Sequence, residues 1–345
     1  MVGNEDRDLI EYYGGPIAPY LADPAVTEIM VNTYRDVWIE RAGRLIRTDT
    51  VWPREEDLIQ FIRMIANRLD QERSLQERGN VDARLEDGTR VNATLAPTAV
   101  LGACMSFRPY PKTVFTKDDL LRRGALTPEI VELIERAIRG RLNILISGGT
   151  GSGKTTILRC ACQSIPHEER VLTIEGTCEN LLPDHPHKLY FEAPKRKTAG
   201  PAGAMTVGNL IENSLRQRPD RIVVGEIRTP EEAAALIDAM NTGHEGTLGT
   251  IHANSAYDSL SRVEVLYARQ ASNFSMDIVR DLVRSNLDLV IYISRDVVSG
   301  RATRRVKEIL WLDERKPIHL MRHRRVTGYE FDHPALDSFR KHLSI

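Results

Sequence analysis

Gly148-Gly149-Thr150-Gly151-Ser152-Gly153-Lys154-Thr155 decides how this chain folds. The run fits G-x-x-x-x-G-K-[ST], follows an apolar stretch at 142–147 and precedes a helical pattern at 154–164, the strand–loop–helix context a phosphate-binding loop requires. Glycines let consecutive backbone N–H groups turn inward on an anion without a Cβ in the way, and the helix N-terminus adds its partial positive charge. In that setting Lys154 reaches the outer phosphates and Thr155 offers a hydroxyl to Mg²⁺. Residues 148–155, with Thr156 behind them in the first helical turn, are the expected nucleotide cradle.

Working outward, short apolar runs alternate with helical patterns. Helices are expected at 127–139, 154–164, 207–216, 230–241 and 275–284, and strands at 142–147, 170–175, 221–225, 247–252 and 287–294. This alternation is that of a doubly wound α/β domain with a mostly parallel sheet. Upstream, strands at 26–31, 36–40, 88–95 and 104–108 and a helix at 55–71 read as a smaller α+β region. Arg108-Pro-Tyr-Pro-Lys112 carries two prolines, which cannot donate to a ladder and disfavour helix before them. The expected division is 1–108, a linker over 109–125, and 126–345 ending in a basic C-terminal region.

Composition narrows the function classes. The chain has 345 residues, 41% apolar, with Lys+Arg 47 against Asp+Glu 48 and a net charge of −1. There is no global positive field of the kind that drives non-specific nucleic-acid binding. Charge is uneven locally: residues 1–30 sum to −5 and residues 301–325 to +6, so the basic end reads as a solvated face or as a contact for an acidic partner or anionic lipid. No apolar run approaches the roughly 18 residues a spanning helix needs. The first thirty residues have no apolar core of a signal peptide, and a cytosolic protein is expected. Cys104, Cys160, Cys162 and Cys178 contain no C-x-x-C pair, which argues against a four-cysteine zinc site. His185-Pro-His187 offers two imidazoles but no evident third ligand, and reads as a loop.

Carboxylates are needed opposite the phosphate loop, for Mg²⁺ and for the attacking water, at the ends of neighbouring parallel strands. Arg221-Ile-Val-Val-Gly-Glu226 is an apolar run ending in a carboxylate suited to orient a Mg²⁺-bound water, so Thr155 and Glu226 are the candidate metal pair. Val171-Leu-Thr-Ile-Glu175 is another such run, followed by Glu179; one of these two glutamates is the candidate for polarising the water. His252 ends a third strand and is a candidate γ-phosphate sensor, whereas His244 precedes that strand and reads as structural.

These boxes stand in one order: the loop at 148–155, Thr173-Ile-Glu-Gly-Thr-Cys-Glu179, Val223-Val-Gly-Glu-Ile-Arg228, and Gly243-His-Glu-Gly through Thr250-Ile-His-Ala253. The order resembles that of the type II/IV secretion ATPase superfamily, with its Walker A, Asp, Walker B and His boxes. Leu21-Ala-Asp-Pro-Ala-Val-Thr-Glu-Ile-Met-Val-Asn32 and Asp82-Ala-Arg-Leu-Glu-Asp-Gly-Thr-Arg-Val-Asn92 are similar to the N-terminal domain of its conjugative-transfer and tight-adherence (Flp) pilus branch. The resemblance covers about residues 20 to 312. It implies a hexameric, Mg²⁺-dependent ATP hydrolase with a RecA-like P-loop domain and a PAS-like N-terminal domain, working with a membrane platform at the cytoplasmic face of the inner membrane, without structural zinc and without nucleic acid as a direct ligand. It further implies that Glu179 is the base, helped by Glu175, and that Arg90 and Arg108 of the N-terminal domain reach the γ-phosphate, since a guanidinium spreads charge over phosphate oxygens. Arg216 and Arg218 match arginines near the nucleotide or subunit interface. One departure stands out: the family's Glu-Asp pair is Glu175-Gly176 here. A RecA-like nucleic-acid motor and a non-hydrolysing nucleotide-binding regulator are the competing readings.

Overall fold

A computed structural model describes residues 15–69, 71–85, 87–109, 115–176, 182, 184–193, 205–298, 301–324 and 327–343. The chain divides into two units, Met1–Val114 with Val298–Ala302, and Phe115–Val297 with Thr303–Ile345.

The first unit contains a short helix α1 (Ala18–Ala22), strands β1 (Val26–Thr33), β2 (Asp36–Arg41) and β3 (Arg44–Arg47), helices α2 (Glu55–Arg68) and α3 (Glu72–Arg78), and strands β4 (Asn80–Arg84), β5 (Arg90–Thr94) and β6 (Cys104–Arg108). The strands form a six-stranded sheet in the order β3-β2-β1-β6-β5-β4, with antiparallel pairing throughout. Alternation along β1 and β6 sends Ile29, Val31, Met105 and Phe107 inward. They meet Leu58, Phe61, Ile62 and Ile65, which recur at helical spacing on α2.

The second unit begins with α4 (Lys117–Arg122) and α5 (Pro128–Arg139), then β7 (Ile144–Gly148), α6 (Lys154–Cys162), β8 (Val171–Glu175), β9 (Lys188–Glu192), α7 (Val207–Ser214), β10 (Arg221–Ile227), α8 (Pro230–Asn241) and β11 (Leu248–Ile251). It continues with α9 (Ala256–Gln270), α10 (Met276–Asn286), β12 (Leu289–Val298), β13 (Arg301–Asp313), β14 (Lys316–Arg324), β15 (Gly328–Phe331) and α11 (His333–His342). The nine-stranded sheet runs β15-β14-β13-β12-β7-β11-β10-β8-β9. The stretch from β12 to β9 is parallel, and β13, β14 and β15 pair antiparallel to one another.

Period-2 alternation splits each central strand between two cores. Ile144 and Ile146 of β7, Val223 of β10 and Leu289 and Ile291 of β12 pack with Ile130, Leu133 and Ile134 of α5 and Ile157 and Leu158 of α6. Leu145, Ile222, Val224 and Val290 face the opposite layer, with Leu236 of α8, Leu260 of α9 and Val283 of α10. A parallel sheet covered by helices on both faces needs such near-continuous apolar strands.

Most of these helices start on a side chain that satisfies a first-turn N–H. Thr116, Thr206 and Thr229 form capping boxes with Asp119, Asn209 and Glu232, and Thr127, Ser255 and Ser275 accept from the third residue on. The segment read as linker, 109–125, contains α4, whose Leu120 is buried in the second unit's core together with Ala125.

Candidate active site

Consecutive strands of the parallel sheet deliver the candidate residues at one edge. The phosphate loop follows β7, His252 follows β11, Glu226 lies near the end of β10 and Glu175 ends β8, and these strands are neighbours in the order β7-β11-β10-β8. Carboxyl ends of parallel strands are where open α/β sheets bind ligands.

The loop itself fits a phosphate. A Cβ on Gly148 would run into the carbonyl oxygen of Ile293 and stand 2.5 Å from Ser152 Oγ. Gly151 and Gly153 take φ of +66° and +102°, the left-handed region that glycine reaches without strain. Gly153 is also the N-cap of α6 and gives it no side-chain acceptor, so this helix, unlike α4, α5, α8, α9 and α10, keeps its first-turn N–H groups for another partner. Ser152 Oγ is buried with no hydrogen-bond partner among the described residues. Gly149 and Thr150 are exposed at the loop's tip, and Thr155 and Thr156 are half-buried in the first turn of α6.

Lys154, 8% exposed, folds back over its own loop. Its Nζ donates to the carbonyls of Gly148 at 3.0 Å and Gly149 at 3.2 Å and lies 3.3 Å from His252 Nδ1. His252 Nε2 is 2.8 Å from Glu226 Oε1, and Arg228 Nη2 donates to Glu226 Oε2 at 2.7 Å. Lys154, His252, Glu226 and Arg228 thus form one connected chain.

Electrostatics sets the protonation of this chain. Burial pushes the Glu226 carboxyl up, but the Arg228 hydrogen bond and the nearby charges of Arg228, His252 and Lys154 outweigh it and hold the group below its usual range. Burial and the Lys154 charge lower His252, with Glu226 pulling the other way, so the ring stays neutral at neutral pH. Glu175, 4% exposed, lies against Gly225, where a Cβ would stand 2.9 Å from its Cγ. The missing side chain at Gly225 is therefore the space that Glu175 fills.

Other candidates lie apart from this chain. Arg90 and Arg108 are register partners on β5 and β6 of the first unit, and Arg84 of β4 stands opposite Arg90, extending the row. Arg108 is exposed and pairs with Glu28 at 3.1 Å. Arg216 and Arg218 follow α7 and are exposed; Arg216 donates to Glu212 O at 3.4 Å, and Arg218 pairs with Asp220 at 3.6 Å. Glu179 lies outside the described residues. His244 bonds within its own turn, to Thr242 Oγ1 and Thr247 Oγ1. His185 Nε2 bonds Glu169 O, and His187 meets Arg170. Arg228 joins the site through Glu226, and its position two residues after that carboxylate is the sequence signal for it.

A Walker A loop on a RecA-like parallel sheet, with an ionised carboxylate near the end of the next strand but one, defines a P-loop ATP hydrolase in a two-domain α/β protein. Residues 12–312 match the family model described as type II/IV secretion system protein. A protein named for conjugal transfer in Mycobacterium tuberculosis is 32% identical over 301 residues, covering 84% of this chain and 82% of its own. The conjugal transfer protein TrbB of Rhizobium radiobacter is 30% identical, over 89% of this chain and 90% of its own. Among solved structures, the Legionella pneumophila ATPase DotB has a similar fold, with a TM-score of 0.59 at 20% identity over 89% of this chain and 81% of that one. The chain belongs to the type II/IV secretion system protein family.

Proposed function

We propose that this chain is an ATP-driven motor for secretion or pilus assembly and a homo-oligomer, a hexamer by resemblance, that works on a platform protein at the cytoplasmic face of a membrane, with a PAS-like first domain closing over the nucleotide of the second. No helix among the described residues is long and apolar enough to cross a membrane. The observation that carries the catalytic reading is the linked series Lys154–His252–Glu226 at the ends of adjacent strands.

In this reading the loop amides of 148–155 and Lys154 hold the phosphates, and Thr155 and Glu226 are the residues that would hold Mg²⁺. When bound, Mg²⁺ supplies charge neutralisation on the β- and γ-phosphate oxygens. Lys154 leaves its own loop carbonyls for the phosphate oxygens as ATP enters, so the nucleotide replaces contacts that the loop otherwise makes to itself. Water attacks the γ-phosphorus in line, the bond to the bridging oxygen breaks, and ADP and phosphate result. Glu179, helped by Glu175 at the end of β8, takes the water's proton. Neutral His252, which touches both Lys154 and Glu226, reports whether the γ-phosphate is present. Arg90 and Arg108 supply positive charge as the domains close, and Arg216 and Arg218 act at the junction between subunits.

The test is phosphate release by wild-type, Lys154→Ala and Glu179→Gln protein with Mg-ATP, with mass by light scattering and with and without single-stranded DNA. Hydrolysis by a DNA-indifferent hexamer, lost in both variants, is expected. Strong DNA stimulation, or ATP binding by a monomer without phosphate release, overturns the reading.

A further inference from the structure

The outer side of the phosphate loop is walled by the neighbouring strands β12 and β13, which carry no residue of the four sequence boxes. Ile293 of β12 presents its backbone oxygen where a Gly148 side chain would go, and its Cδ1 lies 3.5 Å from the position of a Cβ on Gly153. Arg304 of β13 lays its Cδ 3.6 Å from that same Gly153 position. Its Nε then donates to the carbonyl oxygen of Gly151 at 2.8 Å. Arg295 of β12 approaches Gly151 as well, with Nη1 3.8 Å from where a Cβ would stand.

This contact has a direction. In a loop whose N–H groups face an anion, the carbonyls face outward, and in a trans peptide the C=O and N–H dipoles are aligned. The Gly151 carbonyl belongs to the same peptide as the Ser152 N–H. A guanidinium drawing electron density onto the Gly151 oxygen makes the Ser152 N–H a stronger donor on the opposite, inner side. In the structure that N–H makes only a long bond within the turn, 3.3 Å to Gly149 O, which a phosphate oxygen can replace. The same hydrogen bond fixes Gly151, which with Gly153 is one of the two loop residues in the left-handed region.

We infer that Arg304 is a positioning residue of the nucleotide site: through its Nε bond to Gly151 it holds the phosphate loop in the anion-receptive form and strengthens the Ser152 amide toward the β-phosphate of ATP and ADP. The inference rests on the nucleotide-site reading above. Arg304 acts through the loop and not through the attacking water, so its loss weakens ATP and ADP equally and leaves turnover at saturation nearly intact.

The experiment compares wild-type, Lys154→Ala, Arg304→Met and Arg304→Lys protein by titration with fluorescent ADP and non-hydrolysable ATP, and by kcat and KM for phosphate release. Methionine keeps the stem against Gly153 and removes the donor; lysine restores a charged donor. Arg304→Met should weaken both nucleotides about tenfold, the effect of one charge-assisted hydrogen bond, raise KM in parallel and change kcat less than about threefold. Arg304→Lys should recover most of the affinity. An Arg304→Met affinity within about twofold of wild type, or a fall in kcat without a rise in KM, overturns the positioning role while wild-type binding and its loss in Lys154→Ala leave the nucleotide site standing. A wild-type chain that binds neither nucleotide overturns both. If Arg304→Met does not fold, Arg304→Gln replaces it, and an affinity equal to wild type there overturns the role assigned to the charge.

Discussion

Two glycines in the turn before β11 differ in one respect that a single substitution exposes. Gly243 and Gly246 have φ of +84° and +77°, yet a Cβ on Gly243 meets nothing within 4 Å, whereas one on Gly246 overlaps Nη1 of Arg221. Arg221 is 1% exposed. Its Nε donates to Glu169 Oε2 at 2.5 Å and its Nη2 to Ile138 O at 2.8 Å, tying the start of β10 to the end of α5 and the approach to β8. Glu169 is desolvated, which pushes its carboxyl up, but Arg221 and Arg141 overcome this and keep it ionised. Alanine at either glycine costs about 1 kcal/mol for the left-handed backbone. At Gly246 the guanidinium must also move, and breaking a buried pair while leaving its partner uncompensated costs about 3–5 kcal/mol. The total, about 4–6 kcal/mol, is a large part of the roughly 5–15 kcal/mol that holds a domain folded. Hydrogen exchange of peptides covering β10, read by mass spectrometry, isolates the second unit. Gly246→Ala should speed exchange of the most protected β10 amides about 10³-fold or more, and Gly243→Ala about tenfold at most, at 1.4 kcal/mol per decade. Equal effects of the two substitutions would refute the reasoning that the Arg221 guanidinium, and not the backbone alone, makes Gly246 obligatory.

Glu226→Gln keeps the shape of the strand end but removes the charge that faces His252 and Arg228, and should lower kcat about 10²-fold with a smaller change in ADP affinity, measured by phosphate release and titration. His252 is held neutral, so lowering the pH below the 6.5 of an ordinary imidazole eventually places a second positive charge beside Lys154; nucleotide affinity should change with pH there in the wild type and not in His252→Gln. His319, whose ring centroid lies 5.4 Å from that of Tyr257, is pushed down to about 4 by burial and by Arg322. The unfolded chain takes up this proton near 6.5 and the folded one does not, so stability present above 6.5 is lost as pH falls toward 4. A displacement of that size is worth about 3 kcal/mol at most, and the ring's partial exposure reduces it to about 1–2 kcal/mol. The acid-side slope of urea midpoints should be shallower in His319→Gln.

What the sequence reveals about this protein depends on how local the cause is. The phosphate loop is legible because its glycines, lysine and threonine act within one turn, and the central strands because both faces of a covered parallel sheet demand unbroken apolar runs. The strand-end candidates Glu175, Glu226 and His252 follow from that same rule. The C-terminal stretch is not legible in this way. Residues 301–325 read as a basic region, yet β13 and β14 send Val306, Ile309, Leu320 and Met321 into the core while Arg and Lys occupy much of the rest. Charge on the outer face hides the alternation. Helix α9 carries Leu260, Val263 and Tyr267 on its buried face and an N-cap at Ser255, a usable signal that the flanking polar residues obscure. The Arg304–Gly151 bond joins residues 153 apart in the chain, and no spacing rule connects them. Edge strand β9 is only half-buried along most of its length, so it lacks the apolar run that marks its neighbours.

The position of β7 has a mechanical meaning. It is bonded along 144–147 to β11 on one side and along 144–148 to β12 on the other, with four strands to each side in the sheet order. The loop that grips the phosphates is therefore mounted on the stiffest line of the domain. Glu175 ends a strand with only β9 beyond it, so that end of the cleft sits on a more compliant margin. A load applied to this domain deforms the margin first, and the width of the cleft changes while the grip on the phosphates keeps its shape. In the cycle proposed above, that asymmetry separates strain on the catalytic margin from the hold on the nucleotide.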